Sequence, residues 1–156
     1  MIEIDVPGYG RLRMAHLVLD YNGTLAVDGR LVDGVDTALN ALAGHVGVHV
    51  LTADTFGKAE AALEGISCRL TVLPPDRQDE EKLAYVQRLG CEETVCIGNG
   101  RNDRRMLAAA VLGIAVILEE GVAVETLTAA DVVCTDILSA LALLSHPLRL
   151  VATLRS

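Results

Sequence analysis

Short apolar runs that stop abruptly on a polar residue, each followed by a segment of helical spacing, recur along this chain and constrain its fold more than any other feature. Residues 15–19 run apolar into Asp20, residues 46–51 into Thr52, and residues 94–97 into the loop 98–103. Runs this short, with no polar side to the pattern, suit strands buried on both faces of a sheet. Helix candidates lie between them. One starts behind Asp33 as cap and places Val35, Leu39 and Leu42 on one face; one covers 54–63 and ends before Gly65; one covers 76–89, with the acidic first turn DRQDEE and Gly90 at its end. Strands at 66–73, 113–117 and 131–134 and helices from about 104, at 122–127 and at 137–144 continue the alternation. Such alternation requires crossovers, so it predicts an α/β three-layer sandwich around a mostly parallel sheet. Ahead of it, residues 2–6 alternate with period two, Pro7, Gly8 and Gly10 turn the chain, and residues 12–14 resume, which predicts an N-terminal β-hairpin. The tail after Pro147 shows no pattern.

The 156 residues, 51% of them hydrophobic, suit a single domain over the whole chain, 1–156. With 3% aromatic residues and no Trp, its core must be built from aliphatic side chains. The net charge of -8 provides no broad positive field, which argues against nucleic acid or an anionic membrane as partner. No run reaches the about 20 apolar residues of a bilayer span, and the opening residues lack the features of a signal peptide, so a cytoplasmic location is expected. Cys68, Cys91, Cys96 and Cys134 form no CxxC pair and read as reduced thiols; His16, His45, His49 and His146 share no ligand-like spacing and read as structural or surface residues.

Ligands of parallel sheets bind outside the carboxyl ends of the strands, which directs attention to Asp20, Thr52 and the 98–103 loop. In LVLDYNGTL a strand delivers Asp20 to a turn at Gly23, where a carboxylate can attack phosphorus or bind Mg²⁺. The same residue can equally cap a turn. In VHVLTAD the Thr52 hydroxyl can hold a phosphoryl oxygen or merely end a strand before Asp54 caps a helix. Lys82 can neutralise charge or be an ordinary solvated lysine. In CIGNGRND the loop can bring Asp103 to a metal, or Asn102 or Asp103 can cap the next helix.

Taken in order, Asp20, Thr52, Lys82 and the GNGRND loop resemble the four motifs of the haloacid dehalogenase (HAD) superfamily. From Gly98 to about Leu143 the text is closest in look to the end of the phosphorylation domain of P-type ATPases, where GDG, ND and GIAV recur; here it reads GNGRND, LAAAVLGIAVILEEGVAVE and AADVVCTDI. The resemblance implies a Mg²⁺-dependent phosphohydrolase. It makes Asp20 nucleophile and metal ligand, the carbonyl of Asn22 a second ligand, Thr52 the phosphate binder, Lys82 the charge neutraliser, and Asn99 with Asp103 the metal-side pair. The spacing between motifs leaves no room for a cap domain, so the substrate is a phosphorylated macromolecule or small molecule. A homo-oligomer that closes the open site is favoured.

Two positions depart from the pattern. Phosphatases of the superfamily carry Asp where Asn22 stands, and an amide cannot shuttle the leaving group's proton. P-type ATPases have Thr there and keep a long-lived phosphoenzyme. Asn99 replaces an acid and removes one charge from the metal side. These departures predict slow turnover, and they motivate a second reading as an attenuated binding or regulatory module. A transport ATPase fragment is a weaker third, since no membrane segment or nucleotide domain fits.

Overall fold

The computed structural model describes residues 1–54 and 57–156. It opens with the strands β1 (Ile2–Val6) and β2 (Gly10–Met14), the expected hairpin, then β3 (His16–Asp20) and a small hairpin of β4 (Ala26–Val27) and β5 (Arg30–Leu31). There follow α1 (Val35–Ala43), β6 (Gly47–Thr52), α2 (Lys58–Ala62), β7 (Arg69–Val72), α3 (Gln78–Leu89) and β8 (Thr94–Gly98). The chain ends with α4 (Arg104–Ala109), β9 (Leu112–Val116), α5 (Val124–Ala129), β10 (Val132–Cys134), α6 (Ile137–Ser145) and α7 (Pro147–Leu154).

The central sheet is all parallel, in the order β10-β9-β8-β3-β6-β7. β3 lies inside it, flanked by β8 and β6, because its side chains leave no wettable face: Leu17, Val18 and Leu19 are fully buried. Their alternation sorts them between two cores. Leu17 and Leu19 pack with Val35, Leu39 and Leu42 of α1 and with Ile137, Ala140 and Leu141 of α6. Val18 packs with Leu51, Cys96, Ala115 and with Tyr85, Val86, Met106 and Leu107 of α3 and α4. Asp20, two residues beyond Val18, takes the side of α3.

Several expected boundaries move. Asp33 does not cap α1, which starts behind Gly34 in a left-handed conformation (φ 90) and has no side-chain cap. The third helix starts at Gln78 rather than 76, behind Arg77 at φ 57. The strand expected over 66–73 is shortened to β7, because residues 66–68 turn on themselves and Ser67 donates its N–H to Asn40 Oδ1 at 2.8 Å. Of the helix expected over 54–63, Thr55 and Phe56 lie outside the described residues; α2 starts at Lys58, and Asp54 Oδ2 accepts the N–H of Ala59 at 2.7 Å. The tail after Pro147 is helical, with Pro147 in its first turn, where a missing N–H costs nothing. Among the described residues no single helix is long and apolar enough to cross a membrane.

Candidate active site

Asp20 ends β3 at the carboxyl edge of the sheet and is buried. Opposite it, α3 turns Lys82, Tyr85 and Val86 inward, so the ammonium of Lys82, 1% exposed, arrives beside the carboxylate. Lys82 Nζ donates to Asp20 Oδ1 and to Asp103 Oδ1, both at 2.7 Å, with Asn102 Oδ1 at 3.5 Å beyond them. Asn102 is oriented in turn by its amide N–H to Gln78 Oε1 at 2.7 Å.

The 98–103 loop wraps the second carboxylate. Asp103 Oδ2 accepts the backbone N–H of Asn99 at 3.0 Å and of Gly100 at 2.9 Å. The wrap is tight enough that a Cβ on Gly98 would sit 2.5 Å from Asp103 Cγ, which explains a glycine there. Asn99 Nδ2 donates to the carbonyl of Gly121 at 3.0 Å, and this turns Asn99 Oδ1 inward to Thr24. Gly23 makes room for it: its φ is 78, and a Cβ would lie 2.3 Å from Asn99 Nδ2.

Thr24, fully buried, was not among the expected site residues. Its Oγ1 lies 3.2 Å from Asp20 Oδ2 and 3.2 Å from Asn99 Oδ1. One hydroxyl proton cannot serve both acceptors, so one of the two oxygens always lacks it. Its signal in the sequence was its place directly behind Gly23, in the turn that follows the strand.

Thr52 sits one residue past Leu51, the register partner of Asp20 on the neighbouring strand. It is buried, and its Oγ1 accepts the N–H of Asp54 at 3.1 Å, which leaves its own proton to donate. Asn22 is exposed at the mouth, where a backbone bridge to Ala26 starts the β4–β5 hairpin. Tyr21 pins that hairpin by donating its hydroxyl to Gly29 O at 3.0 Å. The structure thus gathers Asp20, Lys82, Asn99 and Asp103 into one hydrogen-bonded cluster, with Thr52 on the adjacent strand and Asn22 at the rim.

The electrostatics are those of two carboxylates sharing one ammonium. Burial and the Asp103 charge push the Asp20 carboxyl up to about 7, against the pull of Lys82 and Thr24. Burial alone would lower Lys82, but the two carboxylates hold it above its ordinary value and fully charged. The triad carries one excess negative charge. A divalent cation fits this deficit: the oxygens of Asp20 and Asn99 are hard donors, and one of them is short of a proton. Asp103 has both oxygens engaged by Lys82 and backbone, and among the described residues no group of three or more His, Cys, Asp or Glu forms a ready-made cage.

The raised Asp20 carboxyl makes stability depend on pH. A carboxyl raised from 3.8 to about 7 supports the fold fully below about pH 4 and withdraws that support as pH rises through 7. Asp20→Asn is therefore expected to stabilise the metal-free protein at pH 8 by on the order of 1–3 kcal/mol. Its amide can donate to Thr24 while Thr24 donates to Asn99. At pH 4 the difference should vanish, and urea denaturation at the two pH values reads both.

No family model matches the chain. An uncharacterized protein from Methanocaldococcus jannaschii is 45% identical over 64 residues, covering 41% of this chain and 69% of that one. Among solved structures, the 3-deoxy-D-manno-octulosonate 8-phosphate phosphatase of Moraxella catarrhalis, in complex with magnesium, phosphate and KDO, superposes with a TM-score of 0.70 at 14% identity, over 91% of this chain and 94% of that one. The cobalt-bound deoxy-D-mannose-octulosonate 8-phosphate phosphatase of Haemophilus influenzae gives 0.65 at 16% identity, over 80% and 79%. These likenesses show the fold alone, one shared with solved HAD hydrolases from Streptomyces avermitilis and Legionella pneumophila.

Proposed function

We propose that this chain, which belongs to the same family as the Methanocaldococcus jannaschii protein and has the haloacid dehalogenase fold, is a Mg²⁺-dependent phosphohydrolase that works slowly through an aspartyl-phosphate on Asp20. The observation that carries the reading is the buried Lys82 ammonium, held 2.7 Å from a strand-end carboxylate whose own charge is poorly supported. A nucleophilic carboxylate must be ionised, and a divalent cation held by Asp20, the Asn22 carbonyl and Asn99 would supply the missing positive charge and draw the phosphoryl group in. Asp103 backs this set by fixing Lys82 and the Asn99 backbone.

Asp20 attacks phosphorus, the bond from phosphorus to the ester oxygen breaks, and the phosphoryl group passes to the carboxylate. Lys82 and the Thr52 hydroxyl hold its oxygens as charge builds. The leaving oxygen then needs a proton, which the Asn22 amide does not give. Substrates whose leaving group departs as an anion, such as acyl or aryl phosphates, are therefore favoured. Water must next attack the aspartyl-phosphate without a base at position 22, so this step is slow and phosphoenzyme accumulates. Lacking an inserted cap, the site can admit a phosphorylated macromolecule or be closed by a second copy.

Incubation with Mg²⁺ and acetyl phosphate tests the reading. Mass spectrometry is expected to show one added phosphoryl group on wild type and none on Asp20→Asn, with chelator abolishing both labelling and turnover. Label that survives in Asp20→Asn would end the assignment. Absence of label and turnover on any phosphate ester would instead favour the second reading, a binding or regulatory module, which Asn22 and Asn99 motivate.

A further inference from the structure

Lys82 is only one of the residues that α3 turns toward the sheet; Tyr85, one turn later, is another, so whatever seats Tyr85 also seats Lys82. The Tyr85 hydroxyl bonds His49 Nδ1 at 2.9 Å, and His49 Nε2 faces His16 Nδ1 at 3.2 Å. The rings meet edge to face, with centroids 5.3 Å and 5.6 Å apart. His16 opens β3, whose last residue is Asp20, and His49 lies in β6, whose last residue is Thr52. The three side chains thus tie together the three elements that carry Asp20, Thr52 and Lys82. Gly47, the register partner of His16, leaves them room: a Cβ there would stand 3.2 Å from both facing nitrogens.

Two imidazole nitrogens at this separation share one proton in a hydrogen bond. A second proton sets N–H against N–H with no acceptor between them. The charged and titratable groups facing the chain give no relief: Arg69 pairs across from His49 on β7, and Arg88 of α3 lies over the Tyr85 ring at 5.5 Å. Burial, with His16 and Arg69, holds His49 below its ordinary value. Such a group supports the fold above about pH 6.5 and withdraws support as pH falls, opposite in sign to Asp20.

We propose that His16, His49 and Tyr85 form an acid-released latch on α3, which seats Lys82 against the Asp20 carboxylate while the imidazole pair holds one proton and lets the helix lift when it takes a second. The consequence for turnover rests on the role given to Lys82 above; the latch itself does not.

Hydrogen exchange on the metal-free protein tests it without any assay of activity, so the two readings can fail separately. After correction for intrinsic rates, the amides of α3 are expected to exchange at least tenfold faster at pH 5.5 than at pH 7.5 in wild type, while those of β8 stay unchanged. In His16→Asn the α3 rates should agree within twofold at the two pH values, because no second imidazole then faces His49 Nε2. The substitution leaves the Asp20 site the same in both proteins, so the difference belongs to the imidazoles. Tyr85→Phe should already exchange fast at pH 7.5. Wild-type α3 protection that ignores acid, or a His16→Asn protein that follows wild type, overturns the latch. Ring-proton titration of wild type gives a second measurement: two separated steps are expected, and a single unsplit step overturns it as well.

Discussion

Lys82→Met is expected to cost the fold about 3–5 kcal/mol near pH 8, because it removes the ammonium from between two buried carboxylates and fills the space with a side chain of similar volume. Asp20 Oδ1 and Asp103 Oδ1 both lean on Lys82 at 2.7 Å, and Lys82 is 1% exposed, so no water layer replaces the lost charge. The protein's recourse is to take up a proton at the site. The penalty should accordingly shrink as pH falls toward 5, and the gap between the wild-type and Lys82→Met urea midpoints should narrow with it. A gap that does not change with pH would mean that packing, and not charge, makes Lys82 necessary. The same variant should take no phosphoryl label from acetyl phosphate at a pH where it remains folded.

The second large effect is a gain. Asn22→Asp is expected to raise turnover of alkyl phosphates by about 10²–10⁴-fold, the range that a positioned general acid and base supplies. The rise should be much smaller for the labelling step with acetyl phosphate, whose leaving group needs no proton, and larger for release of phosphate from isolated phosphoenzyme. Single-turnover measurements separate the two steps. Equal changes on both substrates, or none, would remove position 22 from proton transfer. Asn22 is exposed at the rim, beside the strand end that carries Asp20, so the substitution adds a carboxylate where water can reach it and should cost little stability.

Much of this arrangement was legible in the sequence because it rests on short-range patterns. Residues buried on both faces give mainly apolar runs, which located β3, β6 and β8 to within a residue or two. The spacing of Val35, Leu39 and Leu42 identified the buried face of α1. Gly23 was legible as a turn; that the chain approaches Asn99 and Asp103 too closely at Gly23 and Gly98 for any side chain is visible only in the fold. Element starts were less legible: α1 and α3 both begin behind a residue in the left-handed conformation, Gly34 and Arg77, so Asp33 does not cap α1 and Asp76 falls outside α3.

What the sequence concealed was of two kinds. The β4–β5 hairpin has strands of two residues, too short for any periodicity, although Asp28-Gly29 was a hairpin signal: both adopt positive φ, 51 and 80, as the tight turn requires. The second kind depends on distant partners. His16, His49 and Tyr85 come together from three elements, and no spacing along the chain predicts that two of the four histidines share a proton. Thr24 likewise gains its place only when β8 brings Asn99 beside β3.

Two of the three tyrosines stand close to Asp20 and Lys82 along the chain, Tyr21 directly after Asp20 and Tyr85 on α3 with Lys82, and the chain has no tryptophan. Phenol emission from this protein therefore has no indole acceptor to drain it. Both rings are buried, each with its hydroxyl engaged by a defined neighbour, so ultraviolet fluorescence should register loading of the centre or lifting of α3 without an introduced label.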